Sequence, residues 1–293
     1  MSKSVSLVLG SGGARGYAHI GVIEELLEHG YDIRSISGSS MGAMIGALYA
    51  CGKLELFKEW VLSLDLIDTV KLLDFSLGNN GIIQGEKVFL VLEEMIGDIT
   101  IEELPIAYTA VATDIIRQKE VWIQKGRLLD AVRASVAIPT ILTPKMVGDQ
   151  YLIDGGVLNP IPIAPTMSDS TDLTIAVSLD AKVVKEYKVH IPKKEREKEN
   201  GMQKAFLELT QKAEDLFSRE SKSTFEKMGM FDIIGHTIDT MQNVLSEYKI
   251  AGYSPDIIIG IPHDACGFYE FNRAYEIIEL GRLIAKESLS NRA

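Results

Sequence analysis

The sequence predicts an α/β fold in which a mainly parallel central sheet is covered by helices on both faces. Short apolar runs alternate with segments of helical periodicity over most of the first 180 residues. The first two apolar runs each end in a glycine-rich turn that opens a helix, and the alternation returns near residue 256. Parallel strands need crossover connections, and helices supply them while covering the sheet.

In order, residues 4–9 read as a strand, 10–16 as a glycine turn, 18–29 as a helix and 33–36 as a second strand. Within that helix Ile20, Ile23, Leu26 and Leu27 recur at helical spacing, with Glu24, Glu25 and Glu28 assigned to the opposite, solvated side. A helix-like stretch spans 43–51, and further helical patterns span 54–66 and 86–96, divided by the turn signal Gly78-Asn79-Asn80-Gly81. Residues 106–113 and 119–124 read as strands, and a helical pattern over 128–137 is ended by Pro139. Gly148-Asp149 joins 145–147 to 151–153 as a hairpin that delivers Asp154.

After a strand at 173–179 the composition changes. Residues 182–199 carry seven basic side chains against four acidic ones, on a chain whose net charge is −11. A solvated stretch is expected there. Helices are expected at 203–228 and 231–248, then a strand at 256–261 and a helix at 271–289. The whole chain, 1–293, reads as one domain with a helical, charged insertion at about 182–250.

Composition excludes several function classes. The 41 acidic against 30 basic residues offer nucleic-acid phosphates no general attraction. Cys51 and Cys266 form no Cys-x-x-Cys pair, so neither a disulfide framework nor a zinc site is suggested, and a cytoplasmic home is expected. The apolar stretch 5–9 is too short for a signal peptide, and no run of 18 apolar residues occurs, so any membrane contact is expected to be peripheral. No His, Cys or carboxylate cluster has ligand spacing, and neither a metal nor an organic cofactor is implied.

Three motifs carry chemistry. Gly38-Ser39-Ser40-Met41-Gly42 lies between strand and helix and has the Gly-x-Ser-x-Gly form of a nucleophile elbow, which makes Ser40 the candidate nucleophile. Gly10-Ser11-Gly12-Gly13-Ala14-Arg15-Gly16 lies where the first strand feeds the first helix. Its backbone N–H groups suit an anion, either a phosphate or the oxyanion of an attacked ester. The dinucleotide spacing fails, because Arg15 stands where the third glycine belongs, and the phosphate-loop ending is absent. Asp154-Gly155-Gly156, followed by Asn159-Pro160, turns a carboxylate out of a strand end, although Asp-Gly is also a common turn pair. Attack by Ser40 needs a base, and Asp154 competes with five histidines. Of His19, His29, His190, His236 and His263, His263 is the serious competitor, since Ser40, Asp154 and His263 follow the chain order of an α/β-hydrolase triad.

Together with 133–139 (Arg-Ala-Ser-Val-Ala-Ile-Pro), these blocks occur in the order of the bacterial branch of the patatin-like phospholipases, which the sequence resembles over about 4–180 and again from 256. The resemblance implies a three-layer α/β/α sandwich and an acyl hydrolase working through a Ser-Asp dyad and an acyl-enzyme on phospholipids, lysophospholipids or small esters. It assigns Ser40 as nucleophile, Asp154 as base, Gly10, Ser11, Gly12 and Gly13 as the oxyanion loop with Arg15 and Gly16 bracing it, and Gly38 and Gly42 as the elbow. Ser135 and Pro139 read as structural. Ser11 departs from the family's glycine and costs energy only if that position needs positive φ. A non-catalytic binding or regulatory protein on the same fold is the alternative from another class. Peripheral membrane contact through 182–250, as an interfacial lid, is weighed against a plain solvated excursion.

Overall fold

The computed structural model describes residues 2–64, 86–139, 142–182, 185, 187–192 and 230–290. The expected turn at 78–81, the expected helix at 203–228 and most of the charged stretch lie outside the described residues.

Strand β1 (Ser4–Leu9) leads through a 3-10 turn (Gly13–Tyr17) into α1 (Ala18–Glu28), β2 (Asp32–Ser39) and α2 (Met41–Ala50). There follow α3 (Leu54–Ser63), α4 (Glu86–Ile96), β3 (Ala107–Asp114), β4 (Lys119–Ile123), α5 (Leu128–Ser135), β5 (Lys145–Val147) and β6 (Gln150–Asp154). The chain continues with β7 (Leu173–Ala181), α6 (Met230–Tyr253), β8 (Ile257–Pro262) and α7 (Ala274–Ser290).

The sheet runs β5-β6-β3-β2-β1-β7-β8, with β4 also paired to β3. β1, β2, β3, β7 and β8 are mutually parallel neighbours, whereas β4, β5 and β6 are antiparallel additions. Pleating sends alternate residues to opposite faces. On one face Val5, Leu7 and Leu9 of β1 and Ile175, Val177 and Leu179 of β7 join the main core with α1, α2 and α7. On the other face Val8 and Ala176 meet Ile161, Ile163 and Ile250 of α6. The result is the three-layer arrangement.

Two side chains of α1 reverse their expected faces. Glu25 is buried, where its carboxylate pairs with His29, and Leu27 is exposed. α7 packs along α1 and extends its buried arc over Glu25, whereas Leu27 lies outside that arc.

The topology builds the site. β2 runs parallel to β3 and ends with Ser39 opposite Val111, while β6 runs antiparallel to β3 and ends with Asp154 opposite Ala112. The two strands approach one another along β3, and their ends meet there.

Candidate active site

Ser40 follows β2 directly and caps α2. Its backbone sits at φ 54°, ψ −124°, a left-handed conformation that disfavours any residue with a Cβ. The helix behind it can start so abruptly because Gly42 has no side chain. A Cβ there would fall 2.1 Å from the carbonyl oxygen of Leu9. The Ser40 N–H donates to Ser135 Oγ at 3.0 Å, and Ser135 in turn donates to the Val111 carbonyl at 2.6 Å. Ser135 is fully buried. It fastens the strained elbow to β3.

Asp154 ends β6 and opens a 3-10 turn, Gly155–Val157. Its Oδ2 accepts from Ser40 Oγ at 2.5 Å, and its Oδ1 accepts from the Gly156 N–H at 2.7 Å. Gly155 permits this approach, since a Cβ would lie 2.0 Å from the Val111 carbonyl oxygen. Both members of the pair are buried. Burial pushes the Asp154 carboxyl up to about 7, because the charged form is desolvated more than the two hydrogen bonds can offset. A carboxylate that ordinarily titrates near 4 is thus brought into the range of a useful general base.

The glycine turn lies against the elbow. Two of its four candidate oxyanion donors are already engaged: Gly10 N–H donates to the Val177 carbonyl and Ser11 N–H to the Pro160 carbonyl. That corrects the expected loop, since a committed amide cannot also hold an oxyanion. Among the described residues the N–H groups of Gly12 and Gly13 have no acceptor. Ser11 is not among the positive-φ positions, so serine costs nothing in backbone strain there. Gly16 packs against the side chain of Met41. Arg15 turns to the end of β7, where its guanidinium reaches Asp180 at 3.3 Å, Asp239 of α6 at 3.1 Å and the His263 carbonyl at 3.0 Å.

No histidine ring contacts Ser40 or Asp154 among the described residues. His263 is exposed, its ring against the Ala181 carbonyl, so the structure does not assemble the Ser-Asp-His alternative. His19 touches the glycine turn. It is fully buried, its Nε2 lies 2.8 Å from the Gly10 carbonyl oxygen, and burial pushes its pKa down to about 4. A neutral ring facing a carbonyl must donate, so Nε2 carries the proton. Sequence reading missed this role, and it read Ser135 as structural without its partners. Their partners are remote in sequence or are backbone atoms, and residue type does not announce either. Among the described residues no group of three His, Cys, Asp or Glu is placed to hold a metal ion, and no helix is long and apolar enough to cross a membrane.

A family model described as patatin-like phospholipase matches residues 7–167. An uncharacterized NTE family protein of Mycobacterium tuberculosis is 39% identical over an alignment covering 98% of this chain and 92% of that protein. The neuropathy target esterase sws of Drosophila persimilis is 33% identical over 55% of this chain and 12% of its own. The crystal structure of VipD from Legionella pneumophila covers 99% of this chain and 67% of that one, at 16% identity and a TM-score of 0.47. With its elbow, glycine turn and Asp154 inside or beside one matched stretch, and with a relative aligned almost end to end, the chain belongs to the patatin-like phospholipase family, a membership that suggests lipid hydrolysis.

Proposed function

We propose that this chain is a serine acyl hydrolase that cleaves fatty-acyl esters of phospholipids or lysophospholipids through a Ser40–Asp154 dyad. The single observation that carries the reading is the 2.5 Å contact between Ser40 Oγ and Asp154 Oδ2 at a strained strand-to-helix turn. Asp154 takes the hydroxyl proton as Ser40 Oγ bonds to the ester carbonyl carbon. The Gly12 and Gly13 N–H groups are the candidate donors for the tetrahedral oxyanion. Collapse of that intermediate expels the alcohol, which takes the proton from Asp154 and leaves an acyl-enzyme. Water then bonds to the acyl carbon, gives its proton to Asp154 and releases the fatty acid, and the proton returns to Ser40.

Peripheral contact with a lipid surface fits the same reading. Met241, Val244 and Tyr248 recur at helical spacing on α6 and are exposed, a pattern suited to an interface. A cytoplasmic location and a single-domain organisation with an inserted segment at about 182–250 belong to the proposal as well.

The test is covalent labelling. A fluorophosphonate should modify wild-type protein and fail on Ser40→Ala, and Ser40→Ala and Asp154→Ala should each lose hydrolysis of a short-chain nitrophenyl ester by about 10³ or more while remaining folded. His263→Ala should keep most activity. Absence of both labelling and hydrolysis in folded wild-type protein would favour the non-catalytic reading.

A further inference from the structure

Ser40 and Asp154 are each only 2% exposed, and Ser11 is 1% exposed. An ester group on a lipid cannot reach a hydroxyl so enclosed unless part of the enclosure moves. Among the described residues, α5 and α6 both lie against the Gly155–Val157 turn carrying the base, and α5 is also bound into the elbow through Ser135, which leaves α6 as the part of the enclosure able to move.

Its contact there is polar. Gln242 is 3% exposed, and its Nε2 lies 2.5 Å from where a Gly156 Cβ would be, as does Ser11 Oγ. Gln242 Oε1 and Ser11 Oγ have no hydrogen-bond partner among the described residues. Unpaired buried polar atoms are costly, and a helix designed as permanent cover would not set one against the catalytic turn.

Besides Ile250, which packs beneath the sheet near the end of the helix, polar ties hold α6. Asp239 accepts from Arg15 Nη2 at 3.1 Å, Ser246 Oγ lies 3.4 Å from Asp180 Oδ2, Lys249 Nζ lies 3.5 Å from Glu120 Oε2 and Lys182 Nζ lies 2.8 Å from Glu247 Oε1. Such ties can be exchanged for water at modest net cost, unlike the apolar seam between α1 and α7. Of these four, the Arg15 tie alone originates on the glycine turn. Arg15 has two further partners, Asp180 and the His263 carbonyl, that do not belong to α6.

We infer that α6 is a gate over the dyad and that the Arg15–Asp239 contact is its latch. This rests on the reading of Ser40 as a nucleophile. When the latch releases, α6 lifts Gln242 off Gly156 and uncovers Ser40, while Asp180 and the His263 carbonyl keep Arg15, and with it the glycine turn, in place. Asp239 is thus a positioning residue that acts through the helix and not on the substrate.

The experiment compares rates of Ser40 modification by a fluorophosphonate in wild type, Asp239→Ala and Asp264→Ala. Asp239 is partly exposed on a helix, where alanine is well tolerated. Asp264 lines the same 680 Å³ cavity as Arg15 and Asp239 and is exposed, so its removal changes the same charge without touching the latch. Asp239→Ala should be labelled about tenfold faster, as expected when one charge-assisted hydrogen bond closing a two-state element is lost. Asp264→Ala should match wild type. Deuterium uptake should rise in the 237–248 peptide of Asp239→Ala and stay unchanged in peptides of β1 and β7, which separates gate opening from general loosening. Equal labelling rates in wild type and Asp239→Ala, or uptake that rises throughout, would overturn the gate while leaving the hydrolase reading intact. Failure of every folded variant to be labelled would overturn the hydrolase reading itself.

Discussion

At the scale of the residue, Asp154 shows how burial without a cation makes a base. Its partners are a hydroxyl and one backbone amide, and desolvation outweighs both, which raises the carboxyl to about 7. As base it must be ionised, so the rate of ester hydrolysis should rise with pH through about 7 and then level off. Stability runs the other way. A carboxyl whose folded pKa is raised stabilises fully below its unfolded value near 3.8, and the contribution is lost as pH rises through about 7. Asp180, raised to about 6 mainly by burial, acts with the same sign. Asp154→Asn can keep both hydrogen bonds, with its amide donating to Ser40 and its carbonyl accepting from Gly156. We therefore expect this variant to be inactive yet more stable than wild type at pH 8, on the order of 2 kcal/mol, with a narrower gap at pH 5. Thermal unfolding at the two pH values measures it, and a gap that stays constant with pH would refute the assignment.

At the scale of the element, the elbow depends on a helix that contributes no reacting atom. Ser135 on α5 accepts from the N–H of Ser40 and donates its hydroxyl to the Val111 carbonyl of β3. Ser135→Ala should leave that buried N–H unpaired at a cost of about 1–3 kcal/mol, and relax the strained turn. The expected signature is a kcat lowered about tenfold or more with KM nearly unchanged, partly restored in Ser135→Thr. An equal loss in kcat and gain in KM would speak for general damage. The same contact shows where sequence reading stops. The strands and helices were legible because periodicity is local: β1, α4 and β5 have the expected limits, and Ser40 and Asp154 were singled out by glycine context. Ser135 is 95 residues from Ser40. Its pairing is created by the register of strands that no local pattern encodes. His19 was likewise indistinguishable from a packing histidine, and the commitment of the Gly10 and Ser11 amides follows from neighbours on β7 and at Pro160. α6 ran longer than expected, to Tyr253, because its last turns continue to pack beneath the sheet through Ile250.

At the scale of the whole molecule, the alternating pattern foretold a parallel sheet but not its order, and the order has a practical meaning. The family match ends at residue 167, before β7. Yet β1, which carries the glycine turn, is flanked by β2 on one side and by β7 on the other, register-matched from Val5 to Leu9. A chain cut after residue 167 would keep every motif residue and lose β7, which would turn β1 from an interior strand into an edge. The bared edge would present Val5, Leu7 and Leu9 with a row of unpaired backbone groups, a template for joining other chains. Such a fragment should be found in inclusion bodies or as large oligomers on size exclusion, and its recovery as an active monomer would show the edge to be dispensable. We therefore expect the stretch that carries the family's motifs to need β7 before it forms a soluble unit.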